Sequence, residues 1–155
     1  MIYFAYGSNL DDEDWKHFCD TNAISADCIT PIGPAVLPDH ELTFNVYSST
    51  RGGGALNIRE RLGSYVCGAL FEVGDVGWQA LDLKEGVSER VYARVNKSVL
   101  TPNGSTISVA TYEVLPESQR DFIQPTNHYV QVVRRGLQRF NFSEEYLNEA
   151  AANCP

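Results

Sequence analysis

A chain of 155 residues, 43% hydrophobic and 11% aromatic, carries enough apolar material to bury one core without disulfides or metals, so one domain over residues 1–155 is expected. Its formal net charge of -8 and isoelectric point near 4.8 argue against nucleic acid and anionic membrane as partners, because both need a clustered positive surface. Cys19, Cys28, Cys67 and Cys154 lack the Cys-x-x-Cys or His spacing of a zinc site and read as reduced thiols, mostly packing.

In chain order, Ile2–Tyr6 reads as a strand directly after Met1, with no basic leader and no long apolar run, so a cytoplasmic protein without a membrane span is expected. A helix over Asp11–Cys19 follows. Runs of β-branched and aromatic residues then predict strands at Ala26–Ile32, Glu41–Tyr47, Ala55–Ile58, Tyr65–Val73, Val91–Val95 and Thr106–Val114. Gly52-Gly53-Gly54 would permit a sharp bend or a close backbone approach, and Pro102-Asn103-Gly104 reads as a hairpin turn. The remaining helices fall at Asp75–Lys84, with Asp75 as N-cap and Gly86 near its end, at Thr126–Phe140, and in a short piece beginning at Ser143-Glu144-Glu145. Strands in succession with a few inserted helices predict an α+β domain, a small closed or strongly curved, mostly antiparallel β-barrel flanked by helices.

Where the first strand runs through Gly7-Ser8-Asn9 into a helix, the first amides of that helix have no acceptor of their own. With the helix dipole, they favour a carboxylate or a developing oxyanion. On shape alone the same tripeptide could serve only as a turn and a cap.

The full string Tyr3-Phe4-Ala5-Tyr6-Gly7-Ser8-Asn9-Leu10 resembles the signature of the γ-glutamylcyclotransferases, a family of AIG2-like and BtrG-like cyclotransferase fold. Further segments fall in that family's order: Arg51-Gly52-Gly53-Gly54-Ala55, Leu81-Asp82-Leu83-Lys84-Glu85-Gly86-Val87 followed by Tyr92, and Asn127-His128-Tyr129 with Arg135-Gly136 after it. The resemblance implies an enzyme that releases 5-oxoproline from a small γ-glutamyl compound, as a monomer or homodimer, with no cofactor, metal or protein nucleophile. By the same resemblance Glu85 is the catalytic proton acceptor and donor, Tyr3, Phe4, Ala5, Tyr6, Gly7, Ser8, Asn9 and Leu10 hold the glutamyl group, and Tyr129 contacts substrate. Burial would bring a carboxyl in such a role toward about 6–7.

Several points stay open in the sequence. The Gly7–Leu10 amides could face either the substrate carboxylate or the oxyanion. Asp82, on roughly the face of Glu85, could be a second acid or a spectator, and Arg51 a carboxylate partner or a solvated loop residue. Tyr129 could be an aromatic anchor. His17 and Cys19 face apart on a helix, and His40 and His128 have no nucleophile nearby in sequence, which argues against a Cys-His or Ser-His hydrolase. The alternative to an enzyme is a non-catalytic ligand-binding or regulatory domain on the same fold. The leaving group is unreadable, because glutathione, γ-glutamyl amino acids, γ-glutamyl amines and acylated conjugates share the glutamyl half.

Overall fold

The computed structural model describes residues 1–152, so Cys154 lies outside the described residues. Five strands form a closed barrel: β1 (Ile2–Ala5), β2 (Ile29–Ser48), β3 (Gly53–Val73), β4 (Tyr92–Leu100) and β5 (Thr106–Val114), in the order β1-β3-β2-β4-β5. Neighbours are antiparallel except β1 and β5, which meet in parallel at Tyr3↔Ala110 and close the ring. Four α-helices flank it: α1 (Asp12–Thr21), α2 (Asp75–Lys84), α3 (Asn127–Arg139) and α4 (Glu145–Ala152). The curved, mostly antiparallel barrel expected from the sequence is therefore the observed one.

The strand count differs. The segments expected at Ala26–Ile32 and Glu41–Tyr47 belong to the single strand β2, preceded by a 3-10 turn at Ala26–Cys28, and Ala55–Ile58 and Tyr65–Val73 belong to the single strand β3. The intervening Gly and Pro residues looked like breaks because they cannot sustain a regular ladder. Here they sit at bulges, with register shifts at Pro31/Gly33 and Pro38/His40, and the second edge of β2 meets β4 only at Val36↔Leu100. Strand β4 runs on to Leu100, and the turn through Pro102-Asn103-Gly104 joins it to β5 with Gly104 at φ +84°.

Helix ends differ by a residue in places. Asp11 is the cap of α1, its carboxylate accepting the Asp14 N–H at 3.2 Å, and Thr126 caps α3 through the Tyr129 N–H at 3.2 Å. Asp75 is the first residue inside α2 and Gly74 takes the cap position, so Asp75 acts on the helix dipole rather than as a cap. The core fills the barrel with Phe4, Ala5, Leu37, Phe44, Leu56, Val66, Phe71 and Val99, while Leu10, Leu81, Leu137 and Leu147 join the helices to it. Among the described residues no helix is long and apolar enough to cross a membrane.

Candidate active site

The cleft forms where the opening turn, the end of α2 and the start of α3 converge over the mouth of the barrel. It holds about 310 Å³ of empty space, part of it open to solvent. Tyr3, Tyr6, Gly7, Ser8, Asn9, Leu56, Glu85, Tyr92, Tyr112 and Tyr129 line it.

Glu85 is delivered by the way α2 stops. Gly86, at φ +63°, turns the chain left-handed, its N–H bonding Leu83 O at 3.2 Å while the Val87 N–H reaches back to Asp82 O at 3.0 Å. That pair of bonds is a Schellman closure, which only glycine adopts without strain, and it leaves Glu85 at the C-cap, immediately after the last residue of the helix. Its carboxylate accepts a hydrogen bond from Asn9 Nδ2 at 2.9 Å. Burial raises the Glu85 carboxyl above the usual carboxylate value, against the opposing pull of the Lys84 ammonium and the Asn9 bond.

The opening turn is a single 3-10 turn over Ser8–Leu10. Leu10 N–H bonds Gly7 O at 3.1 Å and Asp11 N–H bonds Ser8 O at 3.0 Å, so the amides left without an intrahelical acceptor are the earlier ones, those of Gly7, Ser8 and Asn9. A Cβ built at Gly7 would stand 3.8 Å from the Tyr129 hydroxyl, so glycine keeps this part of the cleft clear. Of the contiguous string expected to hold a ligand, Phe4, Ala5 and Leu10 do not line the cleft: each is fully buried in the core. The Leu10 N–H, expected among the cradle donors, is spent within the turn. Gly136 of α3 explains the burial of Leu10, since a side chain there would strike Leu10 Cβ at 2.4 Å.

Five phenols face the cleft, and their hydroxyl protons are not equally free. Tyr6 donates to Tyr112 O at 2.7 Å, Tyr92 to Leu56 O at 2.6 Å, and Tyr112 to Asp82 Oδ1 at 2.6 Å. Tyr129 instead accepts the Leu56 N–H at 3.2 Å, and Tyr3 accepts Asn9 Nδ2 at 3.0 Å, which leaves both of their protons to donate. Burial pushes the Tyr129 phenol up to about 12 and raises that of Tyr3, so both stay protonated donors at neutral pH. Tyr129 is held in place because α3 begins next to the glycine run: Gly54 donates to Gln124 O at 3.0 Å, and a Cβ there would meet Ile123 O at 2.0 Å.

Arg51 and Asp82 have other partners. The Arg51 guanidinium forks onto Asp14 with two bonds of 2.7 Å and lies 5.3 Å over the Tyr129 ring. Asp82 pairs with Arg94 at 2.5 Å as well as with Tyr112 and does not line the cleft. Two residues had no signal in the sequence. Lys84 Nζ donates to Asn9 Oδ1 at 2.6 Å, Asp14 Oδ2 at 2.9 Å and Ser8 Oγ at 3.1 Å. Burial alone would raise the Asp14 carboxyl, yet Arg51 and Lys84 outweigh it and hold that carboxyl well below the usual range. Among the described residues no group of three or more His, Cys, Asp or Glu converges as a metal site would require.

Comparison with known proteins gives this arrangement a context. The model of the AIG2-like family matches residues 65–149. Bovine γ-glutamylcyclotransferase is 28% identical, over 94% of this chain and 74% of that protein, and human γ-glutamylcyclotransferase is 27% identical, over 100% and 79%. A solved γ-glutamyl cyclotransferase superposes with a TM-score of 0.82 at 24% identity, covering 100% of this chain and 88% of the other. An uncharacterised human protein superposes at 0.81 with 26% identity, covering 99% and 88%. The family match takes in more than half of the chain, from within β3 into α4, and with it the helix that carries Glu85: the chain belongs to the AIG2-like family.

Proposed function

We propose that the protein is a γ-glutamyl cyclotransferase acting on a small γ-glutamyl amine, amino acid or conjugate. The observation that carries this reading is the convergence on one cleft of a carboxylate with a raised pKa, Glu85, the free amides of the Gly7–Asn9 turn and the two unspent phenol donors, Tyr3 and Tyr129. The name shared by the bovine and human relatives supports it.

In this mechanism Glu85 takes a proton from the glutamyl α-ammonium, and the freed amine nitrogen attacks the side-chain carbonyl carbon of the same residue. A carbon–nitrogen bond forms, closing a five-membered ring, and the carbonyl oxygen becomes an oxyanion. Collapse breaks the bond to the leaving nitrogen, which takes the proton back from Glu85. The ring nitrogen, left with one proton too many by the attack, passes it through Glu85 to the released amine, so the products are 5-oxoproline and an ammonium ion, and Glu85 returns ionised. Such a ring closure needs a curled substrate more than a strong reagent, since fixing the reacting atoms in attack range supplies several kcal/mol, about 7–11 in well-oriented intramolecular cases. The turn amides and the Tyr3 and Tyr129 hydroxyls are the donors for the glutamyl carboxylate and the oxyanion.

Purified protein should release 5-oxoproline from at least one member of a panel of γ-glutamyl amines, γ-glutamyl amino acids and glutathione, and the Glu85→Gln variant should not. No release across the panel, or near-normal turnover by the variant, sinks the reading in favour of a binding domain.

A further inference from the structure

Lys84 reads in the sequence as an ordinary cation at a helix C-terminus, and α2 already has its carbonyls closed by Gly86 and Val87. The side chain instead turns inward, one-tenth exposed, and spends its three protons on Ser8, Asn9 and Asp14. The bond to Asn9 matters most. A primary amide can present either its oxygen or its NH2 group in a given direction, and a cation bonded to Oδ1 at 2.6 Å permits one of the two. The NH2 group then faces Tyr3 OH at 3.0 Å and Glu85 Oε1 at 2.9 Å. Asn9 is 3% exposed, so solvent offers no competing partner.

We propose that Lys84 is a positioning residue for Glu85: anchored by Asp14, which Arg51 holds in turn, it locks the Asn9 amide so that its NH2 group bonds the Glu85 carboxylate and keeps that carboxylate ionised and aimed into the cleft. The relay runs Arg51, Asp14, Lys84, Asn9, Glu85, drawing on the turn after β2, helix α1 and the end of α2. The groups that face Glu85 from the surrounding elements are the charges of Arg51 and Asp14 and the phenols of Tyr3, Tyr6, Tyr92 and Tyr129. The phenols, all raised, stay neutral through the acid range, so Lys84 and Asn9 are the groups whose loss would be felt there.

The proposal rests on Glu85 as the proton carrier of the reading above, and its test has an arm that needs no turnover. In Lys84→Met, 13C NMR titration of the Glu85 carboxyl should show a midpoint raised by about one unit relative to the native protein. The acidic limb of kcat/KM for 5-oxoproline release should move up by the same amount. Lys84→Gln keeps a donor for Asn9 Oδ1 without the charge, and should recover most of the kcat lost in Lys84→Met. An unmoved Glu85 midpoint in a folded Lys84→Met protein overturns the proposal, as does Lys84→Gln matching Lys84→Met in kcat. If Lys84→Met fails to fold, Lys84→Gln decides: its Glu85 midpoint should rise with the lost charge while kcat stays near native, and a kcat loss of about tenfold or more overturns positioning through Asn9. Absence of turnover in the native protein would defeat the enzymatic reading while leaving the titration to judge the relay.

Discussion

Asp82 and Glu85 sit three residues apart at the end of one helix, and the fold gives them opposite surroundings. Asp82 is about one-third exposed and carries its own cation, with Arg94 at 2.5 Å and the Tyr112 hydroxyl at 2.6 Å. Arg94 in turn lies 4.3 Å over the Trp78 ring. Glu85 faces the cleft, bonded to a neutral amide, with its nearest cation engaged elsewhere. Both Asp82 oxygens are taken up by Arg94 and Tyr112, whereas Glu85 lines the cleft and burial raises its carboxyl above the usual range. The helix supplies two acids, and the environment decides which can work.

The sharpest way to break that contrast is to neutralise each acid. Glu85→Gln should cut 5-oxoproline release by about 10³-fold, within the range for loss of a general acid–base, while Asp82→Asn stays within about threefold because its pair is partly solvated. Equal losses would erase the distinction. Next in size, Asn9→Ala removes the bond to Glu85 and should cost about 2 kcal/mol, roughly thirtyfold in kcat/KM, measured on the same substrate.

Stability against pH should sharpen the comparison. Because burial raises the folded Glu85 carboxyl above its unfolded value of about 4.3, its contribution is fully present below that pH and is lost as pH rises through the folded value. Glu85→Gln should therefore raise Tm over native at pH 7, and the gap should close on approaching pH 4. Asp14 has the opposite sign: its depressed folded carboxyl contributes above about pH 3.9 and loses that contribution as pH falls through the folded value. A Glu85→Gln gap in Tm that persists unchanged at low pH would contradict the raised carboxyl. The smallest effect is at Gly86→Ala, where a side chain at φ +63° should cost about 1 kcal/mol, roughly 2–4 °C in Tm by calorimetry.

Much of this was legible in the residues, for reasons that differ by element. The turn after β1, the close approach at Gly54, the hairpin at Gly104 and the end of α2 before Gly86 are each written by local backbone demands, which short segments report faithfully. The length of β2 and β3 was not, because Gly33, Pro34 and Pro38 carry the same local signal in a bulged strand as in a loop. Phe4, Ala5 and Leu10 cannot be told from the cleft-lining members of their string, because contiguous sequence does not say which side chains point into a core. Lys84 was invisible as an inward-facing group, since its partners lie 70 to 76 residues away and a lysine in the last turn already has a surface explanation.

The barrel is closed by its shortest strand. Four residues of β1 join β3 to β5, with Thr111 Oγ1 bonding Phe4 O at 2.8 Å and Tyr6 OH bonding Tyr112 O across the join. A ring with so brief a clasp has an obvious place to spring open, and that clasp carries Tyr3, Tyr6 and the amides that follow them. Transient unbuckling of β1 would disperse the cleft while the long β2–β3 ribbon stayed paired, so native-state hydrogen exchange should find the β1–β5 amides opening at lower free energy than those of β2 and β3.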